Sequence, residues 1–155
     1  MIKVHVLTNN SAWKIYIKNP NIYLKKKLIK AEKKINIFKK NKLNFTLLLS
    51  GDDEIKKLNK KFRRKNKITD VLSFPFHERK ILNKLISQKK KNVYLGDIII
   101  NLNKTIKQSK NKNFFISFDK LWIHGLSHLL GHRHKSNRDY SIMQKFENKI
   151  IKAIQ

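Results

Sequence analysis

The stretch His124-Gly-Leu-Ser-His128-Leu-Leu-Gly131-His-Arg-His134 holds the residues best suited to do chemistry. Residues four apart share a helix face, so His124 and His128 can aim two imidazoles at one ion. Gly131 follows three residues later, where glycine ends a helix in a left-handed cap without a Cβ penalty. The chain can then turn back and offer His134 as a third nitrogen. Three neutral imidazoles suit one Zn²⁺ and leave a coordination position open for water. Water bound there has its pKa lowered toward ~7, which makes it a nucleophile near neutral pH. The chemistry implied is hydrolysis.

The spacing is that of the extended zinc-protease pattern H-E-x-x-H-x-x-G-x-x-H, with one departure. Gly125 stands where those proteases carry the glutamate that serves as general base. A lone histidine on an apolar helix is more often a packed residue than a ligand, but three at this spacing before a glycine turn argue against coincidence. A purely structural zinc is usually closed by a fourth ligand, commonly cysteine, and the chain has no cysteine. His132 neighbours the cap glycine and is expected to point away from the face of His124 and His128.

The chain of 155 residues is expected to form one domain, residues 1–155, large enough to bury a core without disulfides. Lack of cysteine fits a reducing, cytoplasmic compartment. The N-terminus lacks the basic and apolar segments of a signal peptide, and no apolar run approaches the ~20 residues of a membrane helix. Lys and Arg number 37 against 10 Asp and Glu, a formal net charge of +27. Enrichment in Lys, Asn and Ile is also what an AT-biased genome produces, so part of this charge is ordinary solvated surface. A field of this sign nonetheless repels basic substrates and attracts the phosphate backbone of nucleic acid.

The elements that must position the histidines follow from periodicity. Residues 2–7 and 43–49 read as strands, and Tyr94–Ile100 as another. Thr69–Phe76 reads as a strand that Pro75 confines to a sheet edge or margin. Residues 12–17 are ambiguous by period. Pro20 breaks the pattern, Asn21 is a candidate cap, and Leu24, Leu28, Ala31, Ile35 and Phe38 then form a helical stripe. Ser50-Gly-Asp-Asp-Glu opens a short helix with Ile55, Leu58 and Phe62 expected to face inward. Residues 77–92 read as a mobile connection with at most a weak helical turn. Asn101 is a candidate cap for a basic helix. Phe114–Leu130 should be the long apolar helix bearing the first two histidines, and Ile142, Phe146, Ile150 and Ala153 mark a last one. The expected architecture is α+β: a small mixed sheet packed with several helices, the metal site on a long central helix and the turn after it.

Three blocks together resemble the bacterial YbeY family of zinc-dependent endoribonucleases of ribosomal RNA maturation. They are Leu58-Asn-Lys-Lys-Phe-Arg63-Arg-Lys-Asn-Lys-Ile-Thr69-Asp70-Val-Leu-Ser73-Phe-Pro, then Leu95-Gly96-Asp97-Ile-Ile-Ile, then the histidine stretch. The first is similar to the family pattern L-N-x-x-Y/F-R-x-K-x-x-P-T-D-V-L-S-F-P, with Ile68 in place of proline. The third is similar to H-G-x-L-H-L-x-G-Y-D-H. Glycine after the first histidine is thus the family's own signature. Ser127 replaces leucine, and His132-Arg133 replaces Tyr-Asp; Arg133 accepts no hydrogen bond and cannot orient a histidine as an aspartate would.

The resemblance implies a single-strand-specific, metal-dependent endoribonuclease acting in late maturation of the small-subunit 16S rRNA 3′ end and in ribosome quality control. It implies His124, His128 and His134 as metal ligands, one Zn²⁺ as cofactor, and Arg63 as the catalytic arginine. Ribosomal RNA and the ribosomal small subunit are the implied partners, with no DNA and no membrane expected; the sequence leaves the oligomeric state open. The guanidinium of Arg63 offers forked donors that match phosphate oxygens and can stabilise charge developing there. Arg64 is the adjacent alternative. Asp70 and Asp97 read as structural, and Ser73 as a residue able to face a cleft. Two rival functions are a non-catalytic, zinc-stabilised assembly factor that binds ribosomal RNA, and a zinc peptidase.

Overall fold

Alternation of apolar and polar residues shapes the sheet on which the histidine helix rests. In a computed structural model that describes residues 1–90, 92–110 and 113–155, the strands are β1 (Ile2–Thr8), β2 (Leu43–Ser50), β3 (Val71–Pro75) and β4 (Val93–Asn101). They form one mixed sheet in the order β1-β2-β4-β3. β1 and β4 run parallel to β2, and β3 is the antiparallel edge strand against β4. Pro75 therefore lies on an edge, where its missing N–H costs no ladder bond.

Eight helices are described: α1 (Trp13–Tyr16), α2 (Pro20–Lys34), α3 (Asn36–Lys40), α4 (Asp52–Arg63), α5 (Arg79–Ser87), α6 (Leu102–Gln108), α7 (Phe114–Leu129) and α8 (Asn137–Ile154). None is long and apolar enough to cross a membrane. One sheet face, with Leu43, Phe45, Leu47, Leu49, Leu95, Ile98 and Ile100, packs beneath α2, α7 and α8 in a single core. Trp13 and Trp122 are fully buried there. Each such large apolar side chain contributes about 1.5–3 kcal/mol.

Several expectations are corrected. Asn19, not Asn21, caps α2: its side chain accepts from the Ile22 N–H, and Pro20 opens the helix at a position where its missing N–H is no loss. The stripe from Leu24 to Phe38 is two helices, broken at Ile35 in extended backbone. Segment 77–92 contains the ordered helix α5, because Leu82 reaches the core and is buried; of that segment, residue 91 lies outside the described residues. Phe62 is exposed rather than inward-facing, as is Ile142.

Two devices fix α7 in place. Asp119 on α7 accepts hydrogen bonds from the Tyr23 hydroxyl at 3.0 Å and from Trp122 Nε1 at 2.8 Å, and pairs with Lys27 at 3.1 Å. Burial, reinforced by the Asp119 charge, holds the Tyr23 phenol above its ordinary range. At the other end of the helix, Gly125 lies against β4, where a Cβ would meet Ile98 Cγ2 at 2.7 Å. A glutamate at this position would collide with the sheet. Close packing of α7 on β4 is the physical reason for glycine where the proteases carry their base.

Candidate metal centre

Helical spacing and a glycine cap together build the site. His124 and His128 lie one turn apart on α7, and their Nε2 atoms face each other at 3.1 Å. Two imidazole nitrogens on one tetrahedral zinc would be about 3.3 Å apart, from a Zn–N length near 2.05 Å. Gly131 adopts φ +86, donates its N–H to the His128 carbonyl, and is followed by His132 donating to the Ser127 carbonyl. This bond pair is a Schellman cap, which turns the chain back as the sequence predicts. It brings His134 alongside, with ring centroids 6.0 Å from His124 and 5.0 Å from His128. One ligand atom from each histidine lies within 4.8 Å of the others.

The remaining ring nitrogens decide which tautomer is presented. His128 Nδ1 lies 3.0 Å from the His132 carbonyl oxygen. A carbonyl only accepts, so Nδ1 carries the proton and Nε2 keeps its lone pair. His124 Nδ1 lies 2.9 Å from Glu147 Oε1 on α8. That carboxylate accepts the Nδ1 proton and fixes the His124 ring in the same way, leaving Nε2 free to face a cation. Burial, then the neighbouring His124, hold His128 down to about 4, so it is a neutral imidazole at pH 7, the form that binds metal. The donor set and its tautomers fit a divalent zinc-like ion.

His132 stays out of the cluster, as expected. Its ring stacks on Phe146 at 4.6 Å between centroids, while its backbone carbonyl does the orienting of His128. Ser127 is accommodated in the core because its hydroxyl donates to the Ile123 carbonyl one turn earlier. Arg63 ends α4 and reaches over the edge strand to donate to the Ser73 carbonyl at 3.3 Å. Arg63, Ser73 and His128 line one small cleft of about 160 Å³, together with Arg79 and Arg133. Arg64 adopts a left-handed conformation at the C-cap of α4 and does not line this cleft. Of the two adjacent arginines, Arg63 is the one that faces this cleft. A second cleft of about 380 Å³ is lined by His124 itself, with Asp70, Lys120, Gln144 and Glu147.

Asp70 is structural: its carboxylate accepts from the Val71 N–H at 2.8 Å and from Gln108 Nε2 at 2.7 Å. Asp97, expected within an apolar strand, is exposed. Gly96, at φ +131 with no room for a Cβ beside the Phe74 carbonyl, bulges β4 and turns Asp97 outward to accept from the Tyr94 hydroxyl.

Sequence reasoning missed Glu147 and Arg79. The signal for Glu147 was faint: one of ten acidic residues in a very basic chain, beside an inward-facing phenylalanine. Arg79 sits in the segment read as a connection, and Arg133, read only as a lost aspartate, adds positive charge to the arginine-lined cleft.

A cluster of three imidazoles, two on a helix and one after its cap, backed by a sheet and edged by arginines under a strongly basic surface, defines the class: a hydrolase scaffold with a candidate metal centre suited to a polyanion. The family model described as Endoribonuclease YbeY matches residues 7–155. The chain is 42% identical to the Endoribonuclease YbeY of Pelagibacter ubique, covering 100% of this chain and 97% of that protein. It is 39% identical to the Buchnera aphidicola Endoribonuclease YbeY, over 88% of this chain and 84% of the relative. The solution structure of TM1509 from Thermotoga maritima shares the fold, with TM-score 0.56 and 25% identity over 97% of this chain and 89% of that one. The chain belongs to the YbeY endoribonuclease family.

Proposed function

We propose that the protein cleaves ribosomal RNA with one zinc ion held by His124, His128 and His134, and with Arg63 as the catalytic cation. The observation that carries this is the pair of Nε2 atoms at 3.1 Å whose Nδ1 partners are both already committed, leaving two lone pairs converging beside Arg63. Bound zinc would supply a Lewis acid for a phosphoryl oxygen and lower the pKa of a bound water. Glu147 and the His132 carbonyl hold the imidazoles in the correct tautomer. Arg63, already aligned by Ser73, would hold the scissile phosphate and stabilise its developing charge. Gly125 provides no proton acceptor, so proton removal from the nucleophile falls to another group or to solvent.

Family resemblance supports the 3′ end of small-subunit ribosomal RNA as the substrate and ribosomal particles as the partner. The cytoplasm follows from that substrate. Family membership favours the enzyme over the non-catalytic assembly factor, and the missing base at Gly125 disfavours a peptidase.

Arg63→Ala tests the assignment. Cleavage of single-stranded RNA should fall by at least ~100-fold, as when one positioned transition-state donor is removed, while RNA affinity should fall only slightly. Equal, salt-dependent losses of binding and cleavage would instead make Arg63 a plain phosphate contact. Cleavage products ending in a 2′,3′-cyclic phosphate would assign attack to the neighbouring 2′-hydroxyl rather than to water.

A further inference from the structure

The sheet has a second face, and α4 covers only part of it. Ile55, Leu72 and Ile99 close a small core under that helix, with Leu48, Leu58 and Phe74 at its margin. Beyond the margin a groove of about 510 Å³ stays open, with Leu7, Thr46, Phe62, Phe74 and Asp97 among its walls. Phe62, at 59% relative exposure, lines this groove, and Phe76, at 67%, stands just past the end of β3 beside Tyr94, whose hydroxyl bonds the groove residue Thr46. They are the two most exposed phenylalanines of the described residues. Each ring has an aromatic neighbour. Phe62 is braced edge-on by Phe74 at 5.3 Å, and Phe76 by Tyr94 at 5.4 Å. Large apolar rings left in water, each supported by a neighbouring ring, suit a planar ligand.

The surrounding charge selects that ligand. The Lys61 ammonium lies 5.3 Å from the centre of the Phe62 ring, and exposed Lys57, Lys60 and Lys65 follow along α4 and its end. Inside the groove the charge is reversed, with Glu54 and Asp97. Phosphates would be repelled from these walls and drawn to the lysine fringe, whereas base amino groups could donate to the Asp97 carboxylate. A strand with bases inward and backbone outward matches this pattern. Stacking on protein rings needs bases free of their own duplex partners. The groove and the cleft containing His128 lie on either side of the β3 edge: Phe62 lines the groove, and Arg63, next in sequence, lines the cleft and donates to the Ser73 carbonyl.

We propose that the α4-side face of the sheet, with Phe62 and Phe76 as its exposed rings, is a stacking platform for single-stranded RNA bases flanking the cleavage point. This rests on the endoribonuclease reading above and adds the residues that would select unpaired RNA. The test measures binding of a fluorescent single-stranded oligoribonucleotide, and of a hairpin duplex, to the full chain and to Phe62→Ala, Phe76→Ala and the double variant. Each alanine variant should weaken single-strand binding by about fivefold or more, leave the salt slope unchanged, and spare the duplex. Phe62→Leu and Phe76→Leu preserve apolar bulk and guard against loss of folding; they should remain weak, and Phe62→Trp should recover affinity. Unchanged affinity in the double variant, full affinity in the leucine variants, or equal losses on duplex and single strand would each overturn the platform. If the unaltered protein cuts RNA and the rings prove silent, only the platform fails. If the unaltered protein neither binds nor cuts RNA, the endoribonuclease reading itself fails.

Discussion

A histidine can bind a metal through one nitrogen only if something decides where its proton goes. His128 has the decision made within its own helix cap, by the His132 carbonyl at 3.0 Å. His124 has it made by Glu147, from the last helix, at 2.9 Å. Arg133, the residue before the third histidine, accepts no hydrogen bond, and the carboxylate that reaches the cluster is that of Glu147. Glu147→Gln keeps the size but replaces the acceptor by an amide that can present either its oxygen or its NH₂ to the ring. Zinc affinity measured by competition with a chelating dye should fall about 10- to 100-fold, as for other orienting partners of metal-bound histidines. Unchanged affinity would mean that the contact is incidental. The three histidines are legible in the sequence because their spacing is local to one helix and one cap. Glu147 is not, because only the packing of α8 on α7 brings it there.

At the scale of elements, the site depends on the ends of helices and strands. Asn101 closes β4 and opens α6, its side-chain oxygen accepting from the Asn103 N–H at 3.0 Å. Its amide donates to Asp52 at 2.7 Å, and Asn103 Nδ2 donates to the same carboxylate at 2.9 Å. Asp52 also lies in the first turn of α4, where a negative charge is favoured by the helix dipole. The Asn101 hydrogen bond first, and then that of Asn103, hold the Asp52 carboxyl below its ordinary value. A carboxyl that titrates lower when folded contributes stability above its unfolded value of about 3.9 and loses it as pH falls through the folded value. Asp52→Ala should therefore lower Tm at pH 6, and its difference from the unaltered protein should shrink as pH drops below ~4. A difference independent of pH would show that charge plays no part. The sequence announces both the Asn101 cap and the acidic first turn of α4, but not that they share one hydrogen-bond network. The same limit hid α5: its apolar residues make only a short stripe among polar ones, and burial of Leu82 against the core, a tertiary contact, is what orders it. It likewise hid the β4 bulge, since one extra residue at Gly96 shifts the alternation that a period-of-two reading assumes.

The whole molecule is a strongly cationic body, with a formal net charge of +27 on 155 residues. Self-repulsion at this density opposes compactness, and any bound polyanion relieves it while releasing counterions. Single-stranded RNA binding should weaken steeply with salt, with a log–log slope of about −3.5 or steeper for five or more phosphate contacts. A slope near zero would assign binding to the apolar faces alone. Charge of this kind recruits and holds RNA, but it cannot distinguish an enzyme from a scaffold. That distinction rests on the metal centre. The most direct test is RNA cleavage by protein stripped of metal, with and without one equivalent of zinc, beside His128→Ala. Cleavage restored by zinc in the unaltered chain and absent in the variant is the predicted result. Zinc that binds and raises Tm but restores no cleavage would contradict a catalytic metal and make it a structural one.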